Sequence, residues 1–533
     1  MFLSFSGTDR TQVRNLAFEL RALGLRVFVD EDDIAHFVSI TKSIRDGLSS
    51  SKCLVAYYSA DYAVRPACQR ELMIAFLAGQ REGDPCKRIL VINPESSTLH
   101  LRPIELADAR FALPVTGVIE LARQVAKRTE EIQGSIGEVP HVPNPWLSVK
   151  QSSHVLNLIG RHAELWDLHS ALNAIDYPLI RSAICGPFVS VNGLPGAGKT
   201  ALVTAYSSWF SDAYPGGIHW LSLAGAGATL EQLKVRYIYE LHRVAFKIGF
   251  DVDAIPGHRI IKSIADHLQA SGAPSLWIID DVPEMTDLDI LDILTMPAYT
   301  GARTILIGDK DTFRDIIPSI RIGPMPLSDA SSLLDRYRLP DNAKDRRARD
   351  SLALRLNTNA AALIAVGDYL RDRQGQASYA SAMEEIDQES HFTKYVLARI
   401  SRVLDQMGTS ELSVLCLVDQ LGANTIPAQL LTRLPGLDNI DVGAVLKSLS
   451  AYSAASRVGS IWTIDPLIVL ATRIHYTTGD MTETFLQEVI AIITEFLHSA
   501  KLTAHEIEVS RMIINDLQLK LDNRILEAVD TSY

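Results

Sequence analysis

The stretch Gly193 to Thr200, "GLPGAGKT", constrains this 533-residue chain more than any other feature. It sits between an apolar run, "FVSV", and a helical one, "ALVTAYSSWF". Glycines let a backbone wrap round phosphate, and the loop amides and the N-terminus of the next helix then face the anion with partial positive charge. The geometry needs a strand entering and a helix leaving, so the segment predicts an α/β layer built on a parallel sheet. Gly193, Gly196 and Gly198 are expected to shape the loop, Lys199 to reach the β- and γ-phosphates, and Thr200 to offer its hydroxyl to magnesium. A second run, "SLWIIDDV", reads as a buried strand ending in two acids. Asp280 is expected to hold the magnesium with Thr200, and Asp281 to polarise an attacking water.

At roughly 150 residues per domain the chain calls for three or four modules. With 47% hydrophobic and 21% charged residues, most of it can bury enough apolar surface to fold. The net charge of −12 argues against a general phosphate-backbone binder. No apolar run reaches the ~18 to 20 residues that cross a bilayer. These features point to a cytoplasmic protein with neither a nucleic-acid nor a membrane partner. Five scattered cysteines without a CxxC pair indicate neither a disulfide framework nor a zinc site. The histidines lack ligand spacing, so no metal is expected beyond nucleotide-bound magnesium. The run Asp30 to Asp33 reads as a solvated loop and not as a calcium site.

Residues 1–130 alternate short apolar runs ("FLSFS", "LRVFVD", "KCLVAYYS", "RILVIN") with helical patterns. They predict a small flavodoxin-like α/β domain. A helix is expected from Thr8 to Leu23. A proline-bearing linker covers 131–154, followed by the P-loop α/β domain over 155–322, a small helical domain over 323–394, a helical module with a β-wing over 395–480, and a helical tail over 481–533. The wing is expected from "SIWTID" alone.

Further landmarks, "LIGRHAELWDLHSAL", "GGIHWLSL", "GARTILIGDKD", "LSDASSLL" and "AALIAVGDYL", follow the P-loop and double-Asp motifs in an order that resembles the NB-ARC class of STAND signalling NTPases. The resemblance implies ATP or ADP with Mg2+ as ligands, a nucleotide contact from Arg161, and a winged-helix module. Three departures stand out. Ile307-Gly308-Asp309, with Lys310 next, replaces the usual Thr-Thr-Arg. "TNAA" (Thr358 to Ala361) replaces Gly-Leu-Pro-Leu. Asp465 stands where a histidine usually contacts bound ADP.

"FLSFSGTDR", "LRVFVDEDDI", "SADYAVRPACQREL" and "KRILVIN" resemble the TIR domain, above all where it is fused to NB-ARC modules. In catalytic members of that family the glutamate matching Glu71 cleaves the N-glycosidic bond of NAD, with Phe5, Ser6 and Gly7 lining the pocket and Arg10 reaching the cofactor phosphates. One carboxylate suffices, because nicotinamide leaves as a neutral molecule and only the oxocarbenium-like ribosyl centre needs stabilising. In Glu31 to Ile40, His36-Phe37 replaces a usual glycine in a loop that packs against a neighbouring TIR domain. Cys68 reads as a small buried residue and not as a nucleophile.

The resemblance implies a switch in which exchange of ADP for ATP drives oligomerisation through the TIR and NB-ARC domains and activates NAD cleavage. The rival expectation is a non-enzymatic scaffold, assembled by the NTPase module, that recruits other TIR proteins.

Overall fold

The computed structural model describes residues 1–29, 40–109, 111–114, 117–137, 158–173, 187–224, 229–249, 259–283, 294, 301–311, 313, 316–373, 377–388, 391–476, 482–498 and 502–530. Residues 138–154 of the linker, the loop positions His36 and Phe37, the acidic run Asp30 to Asp33, and Cys185 lie outside the described residues. The chain divides into two compact units. One comprises Met1–Val191, Thr200–Ile307 and Phe313–Ile320, the other Asn192–Lys199, Gly308–Thr312 and Arg321–Tyr533.

In the first unit, β1 (Phe2–Phe5), β2 (Leu54–Tyr57) and β3 (Ile89–Ile92) form a parallel sheet, with Phe2 opposite Leu54 and Leu54 opposite Ile89. Single parallel bridges from Phe2 to Phe28 and from Ile92 to Ala112 extend both edges. The resulting order is the doubly wound, flavodoxin-like one. Among its described residues, the expected strand "LRVFVD" shrinks to the bridge at Phe28. Phe28 still stacks on Phe2 with ring centroids 5.1 Å apart.

Around this sheet lie α1 (Arg10–Ala22), α2 (Ile40–Ser50), α3 (Ala60–Val64), α4 (Pro66–Arg81), α5 (Ile104–Asp108) and α6 (Val118–Glu131). Helix α1 starts at Arg10, two residues later than expected, because Gly7–Asp9 turn as a 3-10 helix. Val13, Leu16, Leu121 and Val125 pack with Leu3 and Val55 in one core. Pro66 at the first position of α4 holds Arg65 extended and so separates α3 from α4.

A second sheet in this unit takes the order β5-β6-β7-β4-β8, from β4 (Phe188–Asn192), β5 (Ile218–Ser222), β6 (Ser275–Asp280), β7 (Ala302–Ile307) and β8 (Ser319–Arg321). β6 is buried at every position, as its unbroken apolar run requires. β8 was not legible in sequence, being three residues with no apolar run. The flanking helices are α7 (His162–Asn173), α8 (Lys199–Trp209), α9 (Leu230–Lys247) and α10 (Ile260–Ser271). A capping box from Thr229 and Gln232 starts α9, and Leu233, Tyr237 and Ile264 pack against Trp277 and Ile279.

Helix α7 joins the two sheets of this unit. Trp166 donates Nε1–H to Gln69 Oε1 at 2.8 Å and meets Phe76 edge-on at 5.2 Å. His169 bridges Gln80 (2.9 Å) and the Tyr206 hydroxyl (3.1 Å), and its ring stacks on Phe210 at 4.3 Å. Ser170 donates to Glu105 at 2.8 Å, and Arg102 lies 2.7 Å from Asp167. Burial pushes His169 down to about 3, so it is neutral at physiological pH. Trp166→Ala would empty a fully buried ring site and orphan the Gln69 amide oxygen. The expected cost is about 3–5 kcal/mol, read by urea unfolding of the full chain.

The second unit is mainly helical: α11 (Leu327–Asp335), α12 (Ala343–Arg355), α13 (Ala360–Asp372), α14 (Tyr379–Asp387), α15 (His391–Leu404), α16 (Thr409–Leu421), α17 (Ala428–Leu431), α18 (Val442–Ala451), α19 (Pro466–His475), α20 (Glu483–Leu497) and α21 (Ala504–Asp530). Its antiparallel sheet runs β10-β11-β9, from β9 (Thr425–Pro427), β10 (Ala455–Val458) and β11 (Ile461–Ile464). The wing thus has three short strands where one was expected. No described helix is long and apolar enough to cross a membrane.

Candidate functional site

The division of the chain falls inside the P-loop. In the second unit Gly193 has φ 151°, and a Cβ there would stand 2.5 Å from the Ile322 carbonyl oxygen. Gly196 has φ 80°, and its Cβ would meet Ala361 at 2.6 Å and Asn359 Oδ1 at 2.9 Å. Both glycines are therefore required by conformation and by space. The loop is braced by Ala361 N–H donating to Gly196 O (2.9 Å) and by Asn359 Nδ2 donating to Pro195 O (3.3 Å). Lys199 is buried, and its Nζ donates to Gly193 O (2.8 Å), Leu194 O (3.2 Å) and Asp309 Oδ1 (2.6 Å). A cavity of about 490 Å³ opens beside the loop, lined among others by Leu194, Ala197, Ile322, Asn357, Asn359 and Asp465.

In the first unit Thr200 Oγ1 lies 3.4 Å from Asp280 Oδ1, and Asp280 is buried at the end of β6. Asp281 is exposed with φ 57°. Its amide donates to Asp280 Oδ1 (2.9 Å) and its carboxylate accepts from Ser222 (3.3 Å). Arg161, also at positive φ (62°), pairs with Glu164 at 2.8 Å. Two hard oxygens, from Thr200 and Asp280, suit a Mg2+ that takes its remaining ligands from phosphate and water. Among the described residues no group of three or more His, Cys, Asp or Glu could hold a metal alone.

At the other sheet of the first unit, Glu71 points from α4 toward β1 and is 7% exposed. Its Oε2 accepts from Ser4 Oγ at 2.5 Å, and Ser4 Oγ lies 3.0 Å from the Tyr62 hydroxyl. Tyr62 in turn donates to Cys68 O (3.2 Å), while Cys68 Sγ donates to Phe5 O (3.3 Å). Burial, together with neighbouring Cys68 and Glu71, holds the Tyr62 phenol well above its ordinary range. Phe5 ends β1. Ser6 is buried, whereas Gly7 and Arg10 are exposed around the 3-10 turn. Asp9, in the same turn, accepts from Ser59 Oγ at 2.6 Å, and burial raises its carboxyl.

Residues 1–114 match the family model described as the TIR domain. The chain begins with a TIR domain. No curated protein matches the chain. Among solved structures it is similar to a STAND protein with a tetratricopeptide repeat sensor from Pyrococcus horikoshii, at 12% identity over 71% of this chain and 49% of that one, with a TM-score of 0.30. The chain thus spans about half the length of that protein. It is also similar to a Walker-type ATPase of Pyrococcus abyssi (12% identity, 63% of this chain, 99% of that one, TM-score 0.42). A third likeness is the ORC2 protein of Aeropyrum pernix in ADPNP–ADP complexes (17% identity, 63% of this chain, 96% of that one, TM-score 0.37). Likenesses this distant carry no functional weight.

The structure brings Glu71 of the TIR domain together with Phe5 through Cys68, and Thr200 together with Asp280. Several neighbours of these residues had no sequence signal of their own. Ser4 looks like any strand residue, and Asn357 lies just before the stretch Thr358 to Ala361, which was read only for what it lacks. Asn359 accepts from Ala361 N–H (3.1 Å) and Ala362 N–H (3.2 Å), capping α13. An Asn before "AAALIAV" is a legible start signal.

Asp465, expected in place of a nucleotide-contacting histidine, is the N-cap of α19. It accepts from Leu467 N–H (2.8 Å) and from Asn357 Nδ2 (2.6 Å). Its carboxylate is therefore committed to its own helix and to the loop before α13. Burial, only partly offset by these bonds, pushes it up to about 6. A folded-state pKa above the unfolded value of 3.8 adds stability at low pH, and that contribution is lost as pH rises through about 6. Asp465→Asn, which still caps a helix, should flatten the thermal-midpoint profile between about pH 4 and pH 7. An unchanged slope would mean that other groups carry it.

Proposed function

We propose that this protein is a nucleotide-switched signalling protein whose TIR domain cleaves NAD. The observation that carries the reading is the Glu71 carboxylate, held by Ser4 beneath the carboxyl end of β1, where doubly wound sheets place their ligands. The C1′–N bond of the nicotinamide ribose breaks with its electron pair leaving on nicotinamide, which becomes neutral. The carboxylate stabilises the ribosyl cation, and water bonds to C1′ and loses a proton, giving ADP-ribose. Phe5, Ser6 and Gly7 line the pocket, and Arg10 meets the phosphates.

In the P-loop module, Gly193, Gly196 and Gly198 shape the phosphate cradle and Lys199 neutralises phosphate charge. Thr200 and Asp280 hold Mg2+, which when bound draws charge from the phosphates. Asp281 orients water, and Arg161 contacts the nucleotide. The cavity beside Leu194, Asn357 and Asp465 has the size of a nucleoside site. Exchange of ADP for ATP favours self-association, which raises the local concentration of TIR domains.

A second reading, an assembly scaffold without chemistry, draws on the same carboxylate: at 7% exposed, it is aimed into the domain. Chromatography of the full chain with NAD and Mg-ATP separates the two. Nicotinamide release supports the enzyme, and no release even when the TIR domains are clustered on a support overturns it.

A further inference from the structure

We propose that Asp309 is a built-in counter-anion that competes with nucleotide phosphate for Lys199 and ties that competition to the winged-helix module. The inference rests on the reading of Gly193 to Thr200 as a nucleotide site. An ammonium group has three hydrogens to donate, and Lys199 has three acceptors in place: Gly193 O, Leu194 O and Asp309 Oδ1. Two of these belong to the loop itself and stay with it. A phosphate oxygen therefore gains a hydrogen from Lys199 only by displacing Asp309.

That displacement is feasible, because the Asp309 side chain is 41% exposed whereas that of Lys199 is 9% exposed. A carboxylate swung outward is solvated at once, and phosphate arriving beside it adds like-charge repulsion that drives the exchange. The carboxylate also cancels the one buried cation of the loop while the pair is intact. Affinity for any nucleotide is thus set lower than the motif alone would give.

The same short segment reaches the winged-helix module. Lys310 Nζ lies 4.8 Å from the centroid of the Tyr452 ring, and Asp311 N–H donates to Ala451 O at 2.8 Å. Ala451 and Tyr452 are the last residue and the C-cap of α18. Asp309 leaving Lys199 therefore pulls on a segment anchored to the end of α18. This gives phosphate occupancy a mechanical readout that uses an acid where an arginine is usual.

The test is calorimetric titration of Mg-ADP and Mg-ATP into the full chain, its Asp309→Asn variant and its Asp309→Ala variant. Hydrogen exchange of Gly308–Asp311 and the end of α18 is followed in parallel. Removing a half-exposed competing charge should raise affinity by up to roughly fivefold. In the wild type, nucleotide should speed exchange at the end of α18. Equal affinities in wild type and both variants would overturn the inference while leaving the nucleotide site intact. Binding by none of the three would overturn the site reading itself. Affinity raised without any change in exchange at α18 would remove the coupling to the winged helix.

Discussion

Glu71→Gln is expected to lower nicotinamide release from NAD by roughly 100- to 1000-fold, the range measured when one preorganised electrostatic group is removed from a reacting centre. The substitution is close to isosteric. Its amide oxygen still accepts from Ser4 Oγ, now 2.5 Å from the carboxylate, so the packing of α4 on β1 has no reason to change. What disappears is the negative charge that would face the ribosyl cation. Because a buried charge is costly and a hydrogen-bonded amide much less so, the thermal midpoint should stay level or rise. Activity lost with an unchanged or higher midpoint isolates the charge as the catalytic element. Activity retained at the wild-type level would remove Glu71 from the chemistry and favour the scaffold.

The sequence was legible where backbone geometry or residue order demands particular residues. The P-loop glycines are readable since positive φ and carbonyl or side-chain neighbours under 3 Å exclude a side chain at Gly193 and Gly196. The alternating apolar runs disclosed the sheet around β1 to β3, although the weak edge at Phe28 was overread, since propensity does not count hydrogen-bond partners. The contacts that make the sites specific lay beyond that kind of signal. Ser4 meets Glu71, Gln69 meets Trp166 and Lys199 meets Asp309 across long stretches of chain. Such pairs follow from how layers pack and leave no periodicity to read. Asp465 is instructive in a different way: its helix-capping role was readable from "DPLIV", an acid before a proline at the start of a helix, yet comparison by position obscured it.

Lys199→Ala should abolish measurable Mg-nucleotide binding, and the reason is more than one lost contact. A charge-assisted hydrogen bond to phosphate alone accounts for roughly 10- to 100-fold. Truncation also leaves Gly193 O, Leu194 O and Asp309 Oδ1, which now share one ammonium, with no common donor. An incoming phosphate then meets a carboxylate with no cation between them, so the loss should exceed the contact itself. The double variant Lys199→Ala with Asp309→Asn should recover part of the affinity, and the two changes should be non-additive in a double-mutant cycle. Additive effects would mean that the two side chains act independently on nucleotide. If nucleotide controls the TIR domain, Lys199→Ala also lowers NAD cleavage while the isolated fold, read by its melting transition, persists. Full NAD cleavage in a chain that no longer binds nucleotide would uncouple the two activities and leave the P-loop module with some other task than switching Glu71.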